Sequence, residues 1–149
     1  MYPILLSLHN IMRWLVVIAA IWLLIRTYMG LFSKSDWTDQ EGKAMRFFVI
    51  FMDVQLLLGL ILYFVSPLTQ AVMNNMGAAM GDDQLRFFGV EHAFMMIVAV
   101  VLAHLGSVMV KRAAESRARY VRSAIWFTIS SLVVLAAIPW WRPLFPIFS

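Results

Sequence analysis

The chain has 149 residues, 62% of them hydrophobic, 14% aromatic and only 13% charged, with a net charge of +4. Soluble domains usually run at about 45–50% apolar and about 25% charged residues, so this composition excludes an ordinary water-soluble domain and points to a single membrane-embedded one. There is no cysteine, which excludes disulfides, thiolate metal sites, iron–sulfur clusters and covalent attachment of a c-type haem.

Four apolar segments are long enough to cross a bilayer, which takes about 20 residues: roughly 4–31, 44–66, 86–110 and 120–138. The first opens with "MYPILLSLHNIMRW", which has no Lys or Arg before Arg13 and no A-x-A-like cleavage site. It is therefore expected to be retained as a helix rather than removed as a signal peptide. Backbone polar groups in lipid must be satisfied within the segment, so all four spans are expected to be α-helices. The connections are short, and an all-α, up-and-down four-helix bundle covering 1–149 is the expected fold.

Charge placement sets the expected orientation. Arg26, Lys34, Lys43, Arg46, Lys111, Arg112, Arg117, Arg119 and Arg122 flank the first and third connections, whereas Arg13, Arg86 and Arg142 lie toward the other side. Lys and Arg concentrate on the cytoplasmic side. Both termini and the 67–85 loop are then expected to face outward, with "PWWRPLF" forming an aromatic and charged anchor at the outer interface. The basic stretch "KRAAESRAR" is accounted for by this topology and by anionic lipid. No nucleic-acid module, phosphate loop or nucleophile–base pair is apparent.

Within the first span, His9 lies about 21 residues before Gly30; in the third, His92 lies about 18 residues before Val110. At about 1.5 Å per residue the two depths differ by roughly one turn, on helices that sit diagonally in an up-and-down bundle. "HNIM" and "HAFM" share His-x-x-Met, which suggests two helical hairpins related by an axis along the membrane normal. Two facing imidazoles can ligate a haem iron axially. They can equally be interfacial histidines bonded to neighbours or water, or serve another metal or a quinone. The face His92, Met96, Ala99, Ala103, Gly106 narrows toward small residues, which suits either a flat macrocycle or close helix approach.

Arg13 shares a face with His9 by i, i+4 spacing, and Glu91 precedes His92. Intramembrane ionisable groups pair or face a cavity, so Arg13 is expected to pair with Glu91, to meet a haem propionate or quinone oxygen, or to snorkel to headgroups. In the second span Asp53 needs a partner at its depth. His104 is the first candidate for a buried polar pair, with Gln55 and Arg26 behind it. Such a pair can carry protons, line a quinone pocket or clasp two helices. His92 and His104 are separated by about 120° of rotation and about 18 Å of rise, too far to share a metal, and three histidines supply at most one bis-histidine site.

Between the second and third spans, "MNNMGAAMGDD" places Met73, Met76 and Met80 ahead of Asp82 and Asp83. Thioethers suit Cu(I), so a copper-binding loop working with His9 and His92 is one alternative, although methionine is also an ordinary filler of apolar gaps. The fourth span carries Thr128, Ser130 and Ser131 and no ionisable group in its interior, which suits packing through small polar contacts.

Taken together, "LHNIMRW", "EHAFMMIVAVVLAHLG" and "AIPWW" resemble small bacterial four-helix cytochrome b-like integral membrane proteins across nearly the whole chain. The resemblance implies an inner-membrane location, non-covalent haem b, and electron transfer to or from a quinone or a respiratory partner. The residues it carries over are His9, Arg13, Glu91, His92 and His104. Larger di-haem membrane cytochromes use four histidines, and this chain has three, a departure that counts against a two-haem path. The expected role is an electron carrier or respiratory-complex subunit, itself a monomer or homo-oligomer. The alternative is an accessory scaffold subunit without a cofactor.

Overall fold

The computed structural model describes residues 1–142, and their regular structure is helical throughout. Its long elements are α1 (Tyr2–Ser33), α2 (Asp39–Val65), α6 (His92–Lys111) and α7 (Ser116–Ala137). Between α2 and α6 lie three short helices, α3 (Pro67–Asn74), α4 (Met76–Ala79) and α5 (Asp83–Arg86), and a π-helical turn at Phe87–Glu91. α5, the π-turn and α6 form one continuous helix, Asp83–Lys111, so four helices are long and apolar enough to cross a membrane.

The helices begin earlier than the apolar pattern alone indicates, because their first turns are polar. α2 starts at a capping box: Thr38 Oγ1 accepts from Gln40 N, and the Glu41 carboxylate accepts from Thr38 N at 2.8 Å. This arrangement satisfies amides that lack an intrahelical partner. Glu41 is 2% exposed and also takes Arg26 from α1 as an ion-pair partner. Pro67 forces Ser66 into an extended conformation (φ −75°, ψ 133°), ending α2, and then serves as the first residue of α3. The segment expected to be an outer loop is folded into short helices, because Pro67, Asn75 and Asp82 supply helix starts. Asn75 Oδ1 accepts from Ala78 N at 3.1 Å and Asp82 Oδ1 from Leu85 N at 2.9 Å.

Each long helix packs on two others: α1 on α2 and α7, and α6 on α7 and α2. Val16, Ala19 and Leu23 of α1 meet Phe48 and Met52 of α2, Ala99 and Ala103 of α6, and Phe127 and Val134 of α7 in a single core. Phe48 and Phe127 touch edge to face at 5.8 Å. The α6–α7 contact is the most extensive, and it relies on small residues. A Cβ on Gly106 would come within 2.6 Å of Trp126 Cβ, and Ser130 Oγ donates to Ala99 O at 2.8 Å. Close backbone approach with hydroxyl bonds is how helices associate where lipid removes the hydrophobic drive. Two further hydroxyl pairs, Thr27–Ser123 at 2.8 Å and Tyr28–Thr128 at 2.7 Å, tie α1 to α7.

Much of the outward surface is aliphatic and aromatic: Ile18, Ile25, Leu57, Phe64, Phe94, Ile125 and Leu132 are all exposed. An exterior of this kind is matched to lipid and would be a liability in water. At the end of the helices where α1 stops, Lys34 adopts a left-handed conformation (φ 54°). Tyr120 fills the space above Gly30 and donates to Asp36 O at 3.0 Å.

Candidate functional site

A cavity of about 340 Å³ opens among α1, α2, α6 and the end of α7, at the end of the helices that holds the N-terminus. Its walls are mostly apolar and carry a few convergent polar groups, the usual make-up of a cofactor or small-molecule site. α1 contributes His9, Asn10 and Arg13; α2 contributes Gln55, Gly59 and Tyr63; α6 contributes His92 and Met96; Arg142 follows α7. His9 and His92 come from helices that each pack on α2 and α7, and their ring centroids are 6.2 Å apart at 71°.

His92 is fixed by its partner. Its Nδ1 lies 2.8 Å from Ala137 O, and since a carbonyl only accepts, Nδ1 carries the proton and Nε2 keeps its lone pair. A histidine held in this way by a backbone carbonyl has the orientation typical of a metal ligand. Phe87 and Phe88 pack on the same ring at 5.8 and 6.2 Å. The π-helical turn sits just ahead of His92, and π-turns within α-helices occur frequently at functional sites. The turn's Gly89 O accepts from Tyr63 Oη at 2.8 Å. Gly89 itself lies so close to Val72 of α3 that a Cβ would meet Val72 Cγ2 at 2.6 Å.

His9 lies along α2. Its Nε2 is 3.2 Å from Gln55 Nε2, and a Cβ on Gly59 would stand 3.3 Å from its Cε1. His9 Nδ1 and Gln55 Oε1 are both buried without a partner among the described residues. A buried polar atom left unmatched costs about 1–3 kcal/mol, and two of them on one cavity wall mark a place for a polar ligand group. Arg13 is 7% exposed and lines the same cavity, with its guanidinium 5.8 Å from the Trp14 ring. Arg142 stacks over Phe88 at 4.6 Å.

Four residues singled out from sequence, His9, Arg13, His92 and Met96, thus share one cavity. Glu91 is placed elsewhere. It does not line the cavity, and its carboxylate accepts from Arg86 Nε at 2.8 Å. Adjacent residues on a helix point about 100° apart, so Glu91 and His92 face different sides. His104 Nε2 lies 2.7 Å from Asp53 Oδ1, but the pair is not buried within the chain: the side chains are 52% and 47% exposed on its outer surface. The fallback partners are engaged elsewhere, Gln55 with His9 and Arg26 with Glu41. Met73, Met76 and Met80 are exposed on α3, at the start of α4 and just after it, and none lines the cavity. Among the described residues no group of three or more His, Asp or Glu side chains is placed to hold a metal ion. The last three residues of "PWWRPLF", 143–145, lie outside the described residues.

Sequence reasoning assigned no site role to Gly59 or Tyr63 and misplaced Gln55. Their spacing in "QLLLGLILY" is i, i+4, i+8, a polar and small stripe down one face of an otherwise apolar helix. No protein family, curated protein or solved structure matches the chain.

Proposed function

We propose that the chain is an up-and-down four-helix bundle of the bacterial inner membrane, with both termini outward, that holds one haem b in the cavity between His9 and His92 and passes single electrons. It would act as an electron carrier or a respiratory-complex subunit. The observation that carries this reading is the imidazole pair at 6.2 Å on one cavity wall, with His92 Nε2 left as a lone-pair donor by its Nδ1 bond to Ala137. The excess of Lys and Arg at the opposite end supports the orientation.

The residues present fit such a group. Metal–imidazole bonds are about 2 Å long, so two ligating nitrogens stand about 4 Å apart, and their ring centres lie somewhat further. The observed 6.2 Å between centroids is of that order. Axial histidine is a normal haem ligand. When bound, haem b supplies a one-electron couple at iron. The protein's part is to hold and tune it. The Ala137 carbonyl would fix the His92 tautomer and ring orientation, and apolar walls would exclude water. Arg13 and Arg142, both at the cavity, supply positive charge for two propionates. His9 Nε2 accepts from the Gln55 amide, and its lone pair becomes available to a ligand once that amide turns away.

A quinone headgroup is the second reading, favoured by His9 and Gln55, which both line this apolar cavity and keep Nδ1 and Oε1 without a partner among the described residues. Purification after haem-replete expression separates the two. Sharp b-type bands in the reduced-minus-oxidised spectrum, lost in His9→Ala and His92→Ala and kept in His104→Ala, support haem. A featureless spectrum with stoichiometric quinone in an organic extract supports the second reading and overturns the first.

A further inference from the structure

We infer that the Asp53–His104 pair is the centre of an interface with a second copy of this chain, formed by α2 and α6. The pair bridges the two helices on the outside of the chain, at 2.7 Å between Nε2 and Oδ1. Its depth follows from the helices themselves. Arg46 on α2 and Lys111 on α6 mark the basic end, and each lies seven residues from its member of the pair. Seven residues are about 10 Å of helix, which puts both groups inside the hydrocarbon layer. Asp53 has too short a side chain to reach the headgroups across that distance.

Two features point to a second copy as what covers the pair. First, the surroundings are aliphatic. Ile50 and Leu57 flank Asp53 on α2, and Val101, Leu105 and Val108 flank His104 on α6, all of them exposed. A small polar centre inside an apolar ring has the layout of a contact patch rather than of a lipid-facing wall. Second, the pair is complementary to itself. A two-fold axis along the membrane normal keeps every group at its own depth. It therefore sets the imidazole of one copy against the carboxylate of the other. Asp53 has its second carboxylate oxygen, and His104 its Nδ1, for the neighbouring copy. Carboxylate and imidazole groups then alternate around a four-membered polar ring that lipid no longer touches. None of these interface residues lines the cavity, and the interface does not depend on which ligand the cavity holds.

The chain lacks cysteine, so single-cysteine variants report proximity cleanly. Leu57→Cys, on the proposed interface, is compared with Ile125→Cys, an exposed position on α7, by oxidative cross-linking in native membranes. The expected result is a covalent dimer of twice the 17.1 kDa chain mass from Leu57→Cys, with Ile125→Cys remaining monomeric. Adding Asp53→Leu to Leu57→Cys should abolish the dimer while helicity by circular dichroism is kept. Absence of a Leu57→Cys dimer, equal cross-linking at both positions, or a cross-linked product of a different mass each overturns the proposal. Photobleaching of single labelled wild-type chains in native-lipid discs gives an answer that needs no charged-residue variant: two steps support the dimer, and one step refutes it.

Discussion

Gly59 gives the sharpest test of how the cavity positions His9. A Cβ there would stand 3.3 Å from His9 Cε1 and 3.8 Å from Nδ1. Alanine therefore asks the imidazole to yield by a few tenths of an ångström. The substitution also removes a helix-interior glycine, which favours the helix by about 1 kcal/mol. These effects oppose each other, so Gly59→Ala should change stability by no more than about 1 kcal/mol. Leucine adds a branched side chain that must grow into space lined by His9 and shared with the ligand. Overpacking of this kind costs about 1–3 kcal/mol. If that cost falls on the bound state, haem affinity drops by about 5- to 150-fold, at tenfold per about 1.4 kcal/mol. The assay is haem titration of the apoprotein in detergent, followed in the Soret region, with helicity measured in parallel. The expected order is wild type close to Ala, and both well above Leu. A Leu variant that binds as tightly as wild type would refute the idea that His9 and Gly59 shape the site.

The other predictions concern the frame around the cavity. Gly30→Ala drives a methyl into the Tyr120 ring, whose Cζ would lie 2.1 Å away, and should destabilise the chain by about 1–3 kcal/mol in denaturant unfolding from micelles; the Tyr120→Leu background should recover part of that loss. Glu41→Gln keeps the size of the side chain but removes the charge that Arg26 and the Thr38 cap use, so a loss of about 1–3 kcal/mol is expected by the same assay, with an unchanged visible spectrum. Thr27→Val leaves Ser123 Oγ buried opposite a methyl group and should cost about 1–3 kcal/mol, while Thr27→Ser should cost much less.

Much of the helical framework is readable from composition and hydropathy, because a chain this apolar has few ways to satisfy its backbone in lipid. The ends of the helices were less legible. Thr38 and Glu41 start α2 five residues ahead of the apolar run, and Pro67, Asn75 and Asp82 turn an apparent loop into short helices; local capping decides both, not hydropathy. In the site, rise and rotation suffice to set His9 and His92 at one level, since both depend only on helix geometry. Glu91 precedes His92 by one residue, and one residue is about 100° of helical rotation, so it points away from the cavity to Arg86. His104 was the first candidate partner for Asp53 and is the one observed, while Gln55, held behind it, turns elsewhere. Two positions on a helix differ by about 200°, so they face opposite sides: Gln55 meets His9 inside, and Asp53 meets His104 outside. The exposure of that outer pair is a property of the packed chain and has no signature in the sequence.

The central claim is that two imidazoles of this chain, His9 and His92, hold one iron. The most direct measurement is pulsed electron paramagnetic resonance of the oxidised protein grown with 15N-labelled histidine. The account predicts a low-spin ferric signal coupled to nitrogens of two histidines, and loss of that signal in His9→Ala and in His92→Ala. A high-spin signal, a single histidine coupling, or no iron signal from protein purified after haem-replete expression would contradict it.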